Sequence, residues 1–244
     1  RIIAKSGGND LSLLAKDKKK YYEFIQNNLE SYLRSSPDIL SNFMDLLYVP
    51  LSPFDFKTLT EYENHIRDNE YRCLSDDLMA GYQEVKIGNF LYQNQINFEY
   101  EKPFEADGKR YKFENNRIYR PDFYLTDFNI YIEHFGIDKM GNVKPGIDKI
   151  EYNKHINDKR NLHKKHHTKL IETFHHEWTD DKLLLSLKEK FKIYNQDLKR
   201  PFLPKEEIIL KPISDDKLLE KLSSSKFISE FAEIIAGSIN AIKE

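Results

Sequence analysis

The stretch IYRPDFYLTDFNIYIEHFGI, residues 118–137, decides the fold that the sequence predicts. Two apolar, aromatic-rich runs flank the short turn sequence TDFN, which is the pattern of a β-hairpin. Each run carries one carboxylate, Asp122 in the first and Glu133 in the second. A hairpin centred between Asp127 and Phe128 places these carboxylates directly opposite each other. Because like charges that face each other destabilise a strand pair, this placement needs a physical explanation.

The facing carboxylates of Asp122 and Glu133 are compatible with three environments. Solvent can screen them, one of them can take up a proton, or a cation can lie between them. In the purely structural alternative, Asp122 caps the strand entrance after Pro121 and Glu133 points to water. If the two acids form a site, Mg²⁺ and Mn²⁺ are the expected ions, because these hard cations favour oxygen ligands.

A third acid, Glu84, lies in the helix that is predicted before the hairpin. It shares a stripe at i, i+3, i+4 and i+7 with Ile87, Gly88 and Leu91. An apolar stripe of this kind faces the sheet, where a carboxylate is costly unless it is paired, metal-bound or at the edge of the stripe. Glu84 therefore either joins the hairpin acids or occupies that edge.

Composition divides the chain into three segments. Residues 1–75 and 179–244 are predicted to be helical, and the second of these segments holds amphipathic helices within 180–194 and 226–243. The middle segment, residues 76–178, is predicted to be an α/β (α+β) domain. Its predicted elements follow the order helix, strand, strand, strand, helix, strand.

Local signals place the elements of this middle segment. The first helix is expected over residues 75–95, with Ser75 or Asp76 as its N-cap. The strand before the hairpin, the polar turn that follows it, the basic helix and the last strand are expected within residues 96–104, 106–113, 147–166 and 168–174.

The basic helix supplies cations. One of its faces combines apolar and cationic residues at helical spacing: Tyr152, Ile156, Lys159 and His163. Further basic residues surround this face: Lys154, Arg160, Lys164, Lys165 and Lys169. Such a patch can neutralise phosphates although the formal net charge of the chain is −2. An ordinary solvated basic face has the same composition.

Several classes of protein are disfavoured. The single cysteine, Cys73, excludes an intrachain disulfide and a multi-cysteine zinc site, and it favours a reducing cytosol. Most of the eight histidines lie between His134 and His176, but no H-E-x-x-H motif supports a zinc site. The chain has no P-loop motif, and no stretch approaches the roughly 18 apolar residues of a membrane helix.

Three blocks of the sequence resemble a known family when they are taken together. The blocks EVKIGNFLYQNQINFEYEKPF, YRPDFYLTDFNIYIEHFGI and DKRNLHKKHHTKLIETF are similar to the PD-(D/E)XK nuclease-like domain of UvrD-type superfamily 1 bacterial DNA helicases. The resemblance covers about residues 78–175 and implies a restriction-endonuclease-like αβββαβ core flanked by helical accessory segments. It also implies a segment of a larger helicase, an expectation that the start at Arg1 rather than Met favours.

The family pattern implies roles for the acids. Asp122 and Glu133 would ligate a divalent metal, with the backbone carbonyl of His134 nearby. Glu84 would support the metal or orient water. The usual lysine of the motif would fall at Phe135, which can neither act as a base nor stabilise charge.

In this branch of the family the cation is implied to come from the following helix. Lys159 is the candidate, with Arg160 and His163 nearby. Gln83 is a second, smaller departure, because relatives often have glycine at this position.

The resemblance implies Mg²⁺- or Mn²⁺-dependent hydrolysis of DNA, with Glu84, Asp122, Glu133 and Lys159 as catalytic residues. The residues expected to bind DNA are Lys154, Arg160, His163, Lys164 and Lys169. ATP would act only through helicase segments outside this chain. The expected partners are DNA and the rest of the helicase, in the bacterial cytoplasm and without a membrane. A DNA-binding module with a degenerate nuclease site is the alternative, and an interaction scaffold is a third possibility.

Overall fold

The computed structural model describes residues 51–113, 116–198 and 207–224. These residues belong to two compact units, 51–212 and 213–224. The helices predicted before residue 51 and over 226–243 lie outside the described residues. The domain boundaries predicted from composition stay predictions.

The first unit combines helices with a mixed sheet. A 3-10 turn, Pro53–Asp55, precedes the following elements: α1 (Leu59–Asn69), α2 (Tyr82–Gln93), β1 (Phe98–Tyr100), β2 (Glu105–Ala106), β3 (Lys109–Arg110), β4 (Phe123–Leu125), β5 (Ile130–Phe135), α3 (Lys149–Lys165), β6 (Lys169–Phe174), α4 (His175–Thr179) and α5 (Leu183–Leu198). The second unit contributes α6 (Asp215–Ser224). No helix in these described ranges is long and apolar enough to cross a membrane.

Four strands form the main sheet in the order β1-β4-β5-β6. The β1–β4 and β4–β5 pairs are antiparallel, whereas β5 and β6 are parallel and are connected through α3. The predicted mixture of helices and strands is confirmed, and the strands of the main sheet follow the predicted order of helix, three strands, helix and strand. Two short strands, β2 and β3, form a separate hairpin between β1 and β4.

The central hairpin has the predicted register. Phe123 pairs with Ile132 and Leu125 pairs with Ile130, so the next position outward places Asp122 opposite Glu133. The turn closes at Asn129, whose φ of 53° lies in the left-handed region that asparagine tolerates better than most residues. The polar turn predicted at residues 106–113 is shorter in the structure, where residues 107 and 108 connect β2 with β3.

The start of α2 differs from the prediction. The N-cap is Gly81, so the predicted caps Ser75 and Asp76 are wrong. Asp76 has a φ of 70°, which no right-handed helix accepts, and the Ser75 hydroxyl donates a hydrogen bond to Asp77. The preceding Leu74 is fully buried, so this segment folds as a loop that packs into the core.

Candidate active site

Three carboxylates converge where the first turn of α2 meets β4 and β5. Glu84 lies in that turn, Asp122 directly precedes β4, and Glu133 lies within β5. Burial raises the pKa of Asp122 well above its usual value, and the neighbouring charges of Glu133 and Glu84 raise it further. The structure therefore brings together the three acids that the sequence analysis selected.

Glu84 is partly exposed and bonds to the first strand of the sheet. Its Oε2 accepts hydrogen bonds from the Tyr100 hydroxyl of β1 at 2.5 Å and from the Ala80 N–H at 3.2 Å. Burial is the main reason that its pKa is raised from 4.5 to about 7, while these two hydrogen bonds oppose the shift. At neutral pH the carboxyl group of Glu84 therefore populates both its protonated and its ionised forms.

Glu133 is buried, with 1% of its side chain exposed, so the alternative in which it points to water is wrong. Its Oε2 accepts a hydrogen bond from Lys159 Nζ at 2.6 Å. The other oxygen, Oε1, has no hydrogen-bond partner among the described residues. Asp122 also has a partner within the hairpin, because its Oδ2 accepts the His134 backbone N–H at 2.5 Å. Glu133 is therefore enclosed by the protein, whereas Asp122 is partly exposed.

Lys159 reaches the acids from α3, with 23% of its side chain exposed. Burial lowers the pKa of Lys159, but the charges of Glu133 and Asp122 outweigh burial and raise it above its usual value. The ammonium group also lies 5.4 Å from the ring centroid of Tyr119 and 5.5 Å from that of Phe135. Phe135 therefore provides an aromatic surface for a cation that comes from another element.

The three carboxylates offer oxygen atoms, which are the ligands that hard divalent cations prefer. Within the described ranges, no group of three or more His, Cys, Asp or Glu side chains is arranged as a metal site. However, the unpartnered Oε1 of Glu133 is a buried oxygen that a cation would satisfy. The mutual repulsion that raises the pKa of Asp122 would also be offset by a bound cation. If an ion binds here, Asp122, Glu133 and Glu84 are the residues that would supply its oxygen ligands.

Comparisons with protein-family models, with curated proteins and with solved structures find no match for this chain. The residues of the site and the sequence resemblance are therefore the two grounds for a functional proposal.

The predicted DNA-binding residues do not share one environment. Lys154, Lys164 and Lys169 are exposed. Arg160 is exposed as well, but its guanidinium donates two hydrogen bonds of 2.6 Å to the Glu172 carboxylate. DNA binding by these four residues stays a prediction.

His163 requires a correction, because it is buried with 2% exposure. One ring nitrogen lies 3.0 Å from the Tyr119 hydroxyl and the other 2.7 Å from Thr168 Oγ1. Burial lowers the pKa of His163 to about 4, so the ring is neutral at physiological pH. A neutral ring in the core cannot bind a DNA phosphate on the surface.

A buried chain of hydrogen bonds supports His134 on the opposite face of β5 from Glu133. His134 Nδ1 lies 2.9 Å from Thr173 Oγ1, and His134 Nε2 lies 2.5 Å from Gln83 Oε1. Gln83 Nε2 lies 2.7 Å from His175 Nδ1. Since the Gln83 amide can only accept at its oxygen and donate at its nitrogen, His134 carries its proton on Nε2 and His175 accepts at Nδ1.

Burial is the main reason that the pKa of His134 falls to about 3 and that of His175 to about 4. Both rings are therefore neutral, as this chain of donors and acceptors requires. The sequence analysis noted Gln83 only as a departure from the family pattern. A prediction that β5 and β6 pair in parallel would have placed Thr173 beside His134 and so indicated part of this series of hydrogen bonds.

Proposed function

We propose that residues 51–212 hold a Mg²⁺- or Mn²⁺-dependent nuclease site that hydrolyses phosphodiester bonds in DNA, within a larger superfamily 1 helicase. The observation that carries this proposal is the contact between Lys159 and Glu133, beside Asp122 and Glu84. It supplies the cation that the motif lacks at Phe135. The resemblance of the three sequence blocks to PD-(D/E)XK nucleases supports the choice of substrate and of the larger protein.

Asp122 and Glu133 would hold the ion, and Glu84 would complete the acidic site. When bound, such an ion activates water and offsets the negative charge that develops on phosphate oxygens. Lys159 Nζ is positioned to stabilise the same developing charge, because it is a partly buried cation that its contact with Glu133 orients. Glu84 can exchange a proton near neutral pH, since its pKa is raised to about 7.

DNA is the proposed substrate because exposed lysines lie on α3 and at the start of β6. Lys154, Lys164 and Lys169 are exposed, and none of them forms an ion pair within the described residues. Cations of this kind bind phosphates by releasing condensed counterions, so each contact makes binding more sensitive to salt.

A cleavage assay combined with calorimetry tests the nuclease proposal. Purified protein with Mn²⁺ or Mg²⁺ should cut single- or double-stranded DNA and should bind the metal with measurable heat. Asp122→Asn should abolish both signals, whereas the matched variant Asp127→Asn, in the β4–β5 turn, should leave both unchanged. The proposal is wrong if the wild-type protein cuts neither DNA and takes up no metal.

A DNA-binding module without cleavage is the second candidate function. It is favoured by the arrangement of the acids, because within the described residues they do not form a complete set of metal ligands. This function predicts DNA binding that survives Asp122→Asn and Glu133→Gln. Replacing Lys154, Lys164 and Lys169 with glutamine should then lower the slope of log K against log salt by roughly 0.7 to 0.9 for each lost contact.

A further inference from the structure

A cavity of about 280 Å³ opens beside the acids and includes a lysine that the proposed catalytic set does not use. Its walls include Glu84, His134, Tyr152 and Lys144. A second cavity, of about 560 Å³, lies on the side of Tyr100 and also includes Lys144 in its wall. Lys144 therefore lies where two cavities meet next to Glu84.

The positive charge of Lys144 is only partly compensated by the described residues around it. Its ammonium group lies 4.3 Å from the centroid of the Tyr62 ring, and it has no ion pair among the residues that the structure describes. Burial lowers the pKa of Lys144, while Glu63 and Glu84 oppose that shift without reaching ion-pair distance. A half-buried ammonium that is only partly compensated gains most from an added negative charge.

The loop that carries Lys144 is held in a defined conformation. Asp138 Oδ1 accepts the backbone N–H groups of Met140 at 2.8 Å and Asn142 at 2.7 Å. Ile137 and Val143 form a bridge that closes the loop directly before Lys144. This framework fixes the backbone from which the lysine extends, so its position does not depend on a ligand.

Tyr152 adds a neutral donor to the same cavity. Its hydroxyl oxygen accepts the Gly136 N–H at 3.0 Å, which leaves the hydroxyl proton without an acceptor among the described residues. An ammonium group and a hydroxyl donor that line one cavity match the oxygens of a phosphate group.

We propose that Lys144 binds a phosphate of the DNA strand in this cavity, next to the bond that is cut, and thereby positions the substrate. This inference rests on the proposed nuclease function and adds a second cation to it. Lys159 interacts with Glu133, whereas Lys144 lies near Glu84. The two lysines would therefore contact different phosphates of one strand.

The test compares Lys144→Gln with the wild type and with Lys139→Gln, an exposed lysine of the same loop that pairs with Asp180. With a single-stranded oligonucleotide and Mn²⁺, Lys144→Gln should raise KM about tenfold and change kcat much less. Its slope of log K against log salt should fall by roughly 0.7. Lys144→Arg should restore much of the affinity, and Lys139→Gln should resemble the wild type.

Oligonucleotides with a single methylphosphonate identify the contacted phosphate. At one position, removal of the phosphate charge should weaken the wild type about tenfold and leave Lys144→Gln unchanged. If KM, the salt slope and the methylphosphonate pattern of Lys144→Gln equal those of Lys139→Gln, the inference is wrong while the nuclease proposal stands. If the wild type neither cuts nor binds DNA, the proposed function fails, and this inference fails with it.

Discussion

Glu84→Gln should stabilise the protein at alkaline pH and should have little effect at acidic pH. The pKa of Glu84 is raised from 4.5 to about 7 in the folded state. A carboxyl group with a raised folded pKa binds more protons folded than unfolded, so its contribution to stability is present at low pH and is lost as pH rises through about 7. Glutamine can still accept the hydrogen bonds of Tyr100 and Ala80, but it carries no charge.

The magnitude follows from the size of the shift. A displacement from 4.5 to about 7 corresponds to about 3 kcal/mol between the two protonation states. Part of this difference has already developed at pH 5, because the unfolded glutamate is largely ionised there. The difference in unfolding free energy between Glu84→Gln and the wild type should therefore grow by about 2 kcal/mol from pH 5 to pH 8.

Urea unfolding at several pH values measures this difference. Trp178 is the only tryptophan of the chain. Its ring centroid lies 6.5 Å from that of Tyr82, which is close to Glu84 on α2. Its fluorescence therefore reports on the start of α2. The exposed Glu207→Gln serves as the matched control and should show no growth with pH. A difference for Glu84→Gln that stays constant or shrinks between pH 5 and pH 8 would refute the assignment of a buried, destabilised carboxylate.

Three further substitutions test other parts of the structure, each by urea unfolding. Lys159→Met should destabilise the protein by about 2–4 kcal/mol at pH 8 and by less at pH 5. The reason is that Glu133 loses its partner and must take up a proton, which is easier at low pH. An equal loss at both pH values would contradict this explanation. Gln83→Ala should cost about 1–3 kcal/mol, since the ring N–H of His134 loses its acceptor; an unchanged midpoint would show that the hydrogen-bond chain does not contribute. Gly146→Ala should cost about 1–2 kcal/mol, because its φ of 84° disfavours any side chain, and a neutral result would contradict that strain.

The central hairpin could be predicted because its signals are local. Two apolar runs and the TDFN turn fix which residues face each other, and Asn129 closes the turn at a positive φ. The approach of Lys159 to Glu133 was a hypothesis that the family resemblance implied, and helical spacing added only that Lys159 shares a face with apolar residues of α3. For the hairpin, the period of the strands and the chemistry of a few side chains determine the result.

The start of α2 could not be predicted in the same way. Ser75 and Asp76 are good capping residues by type, but their segment folds into a loop because Cys73 and Leu74 are fully buried. The Leu74 N–H bonds to Asn89 Oδ1 at 2.7 Å, a contact made across 15 residues of the chain. Tertiary packing of this kind overrides a local propensity.

The hydrogen-bond chain through Gln83 could not be predicted for a related reason. Its members come from α2, β5 and the junction of β6 with α4, so no short window of the sequence contains them. Only the parallel alignment of β5 with β6 and the packing of α2 bring Gln83, His134 and His175 together. Spacing along the chain carries no information about such a contact.

The acids and the lysine of the candidate site influence one another electrostatically. When Glu84, Asp122 and Glu133 are ionised, Lys159 compensates only one of the three negative charges. Burial is the main reason that the pKa values of the three acids are raised, and repulsion between the carboxylates adds to the shift at Asp122 and Glu84. A divalent cation would supply the two missing charges and would release the protons bound to the acids. Apolar side chains at these three positions would remove the cost of burying the acids, so the proposed ion is what would make the acids favourable there.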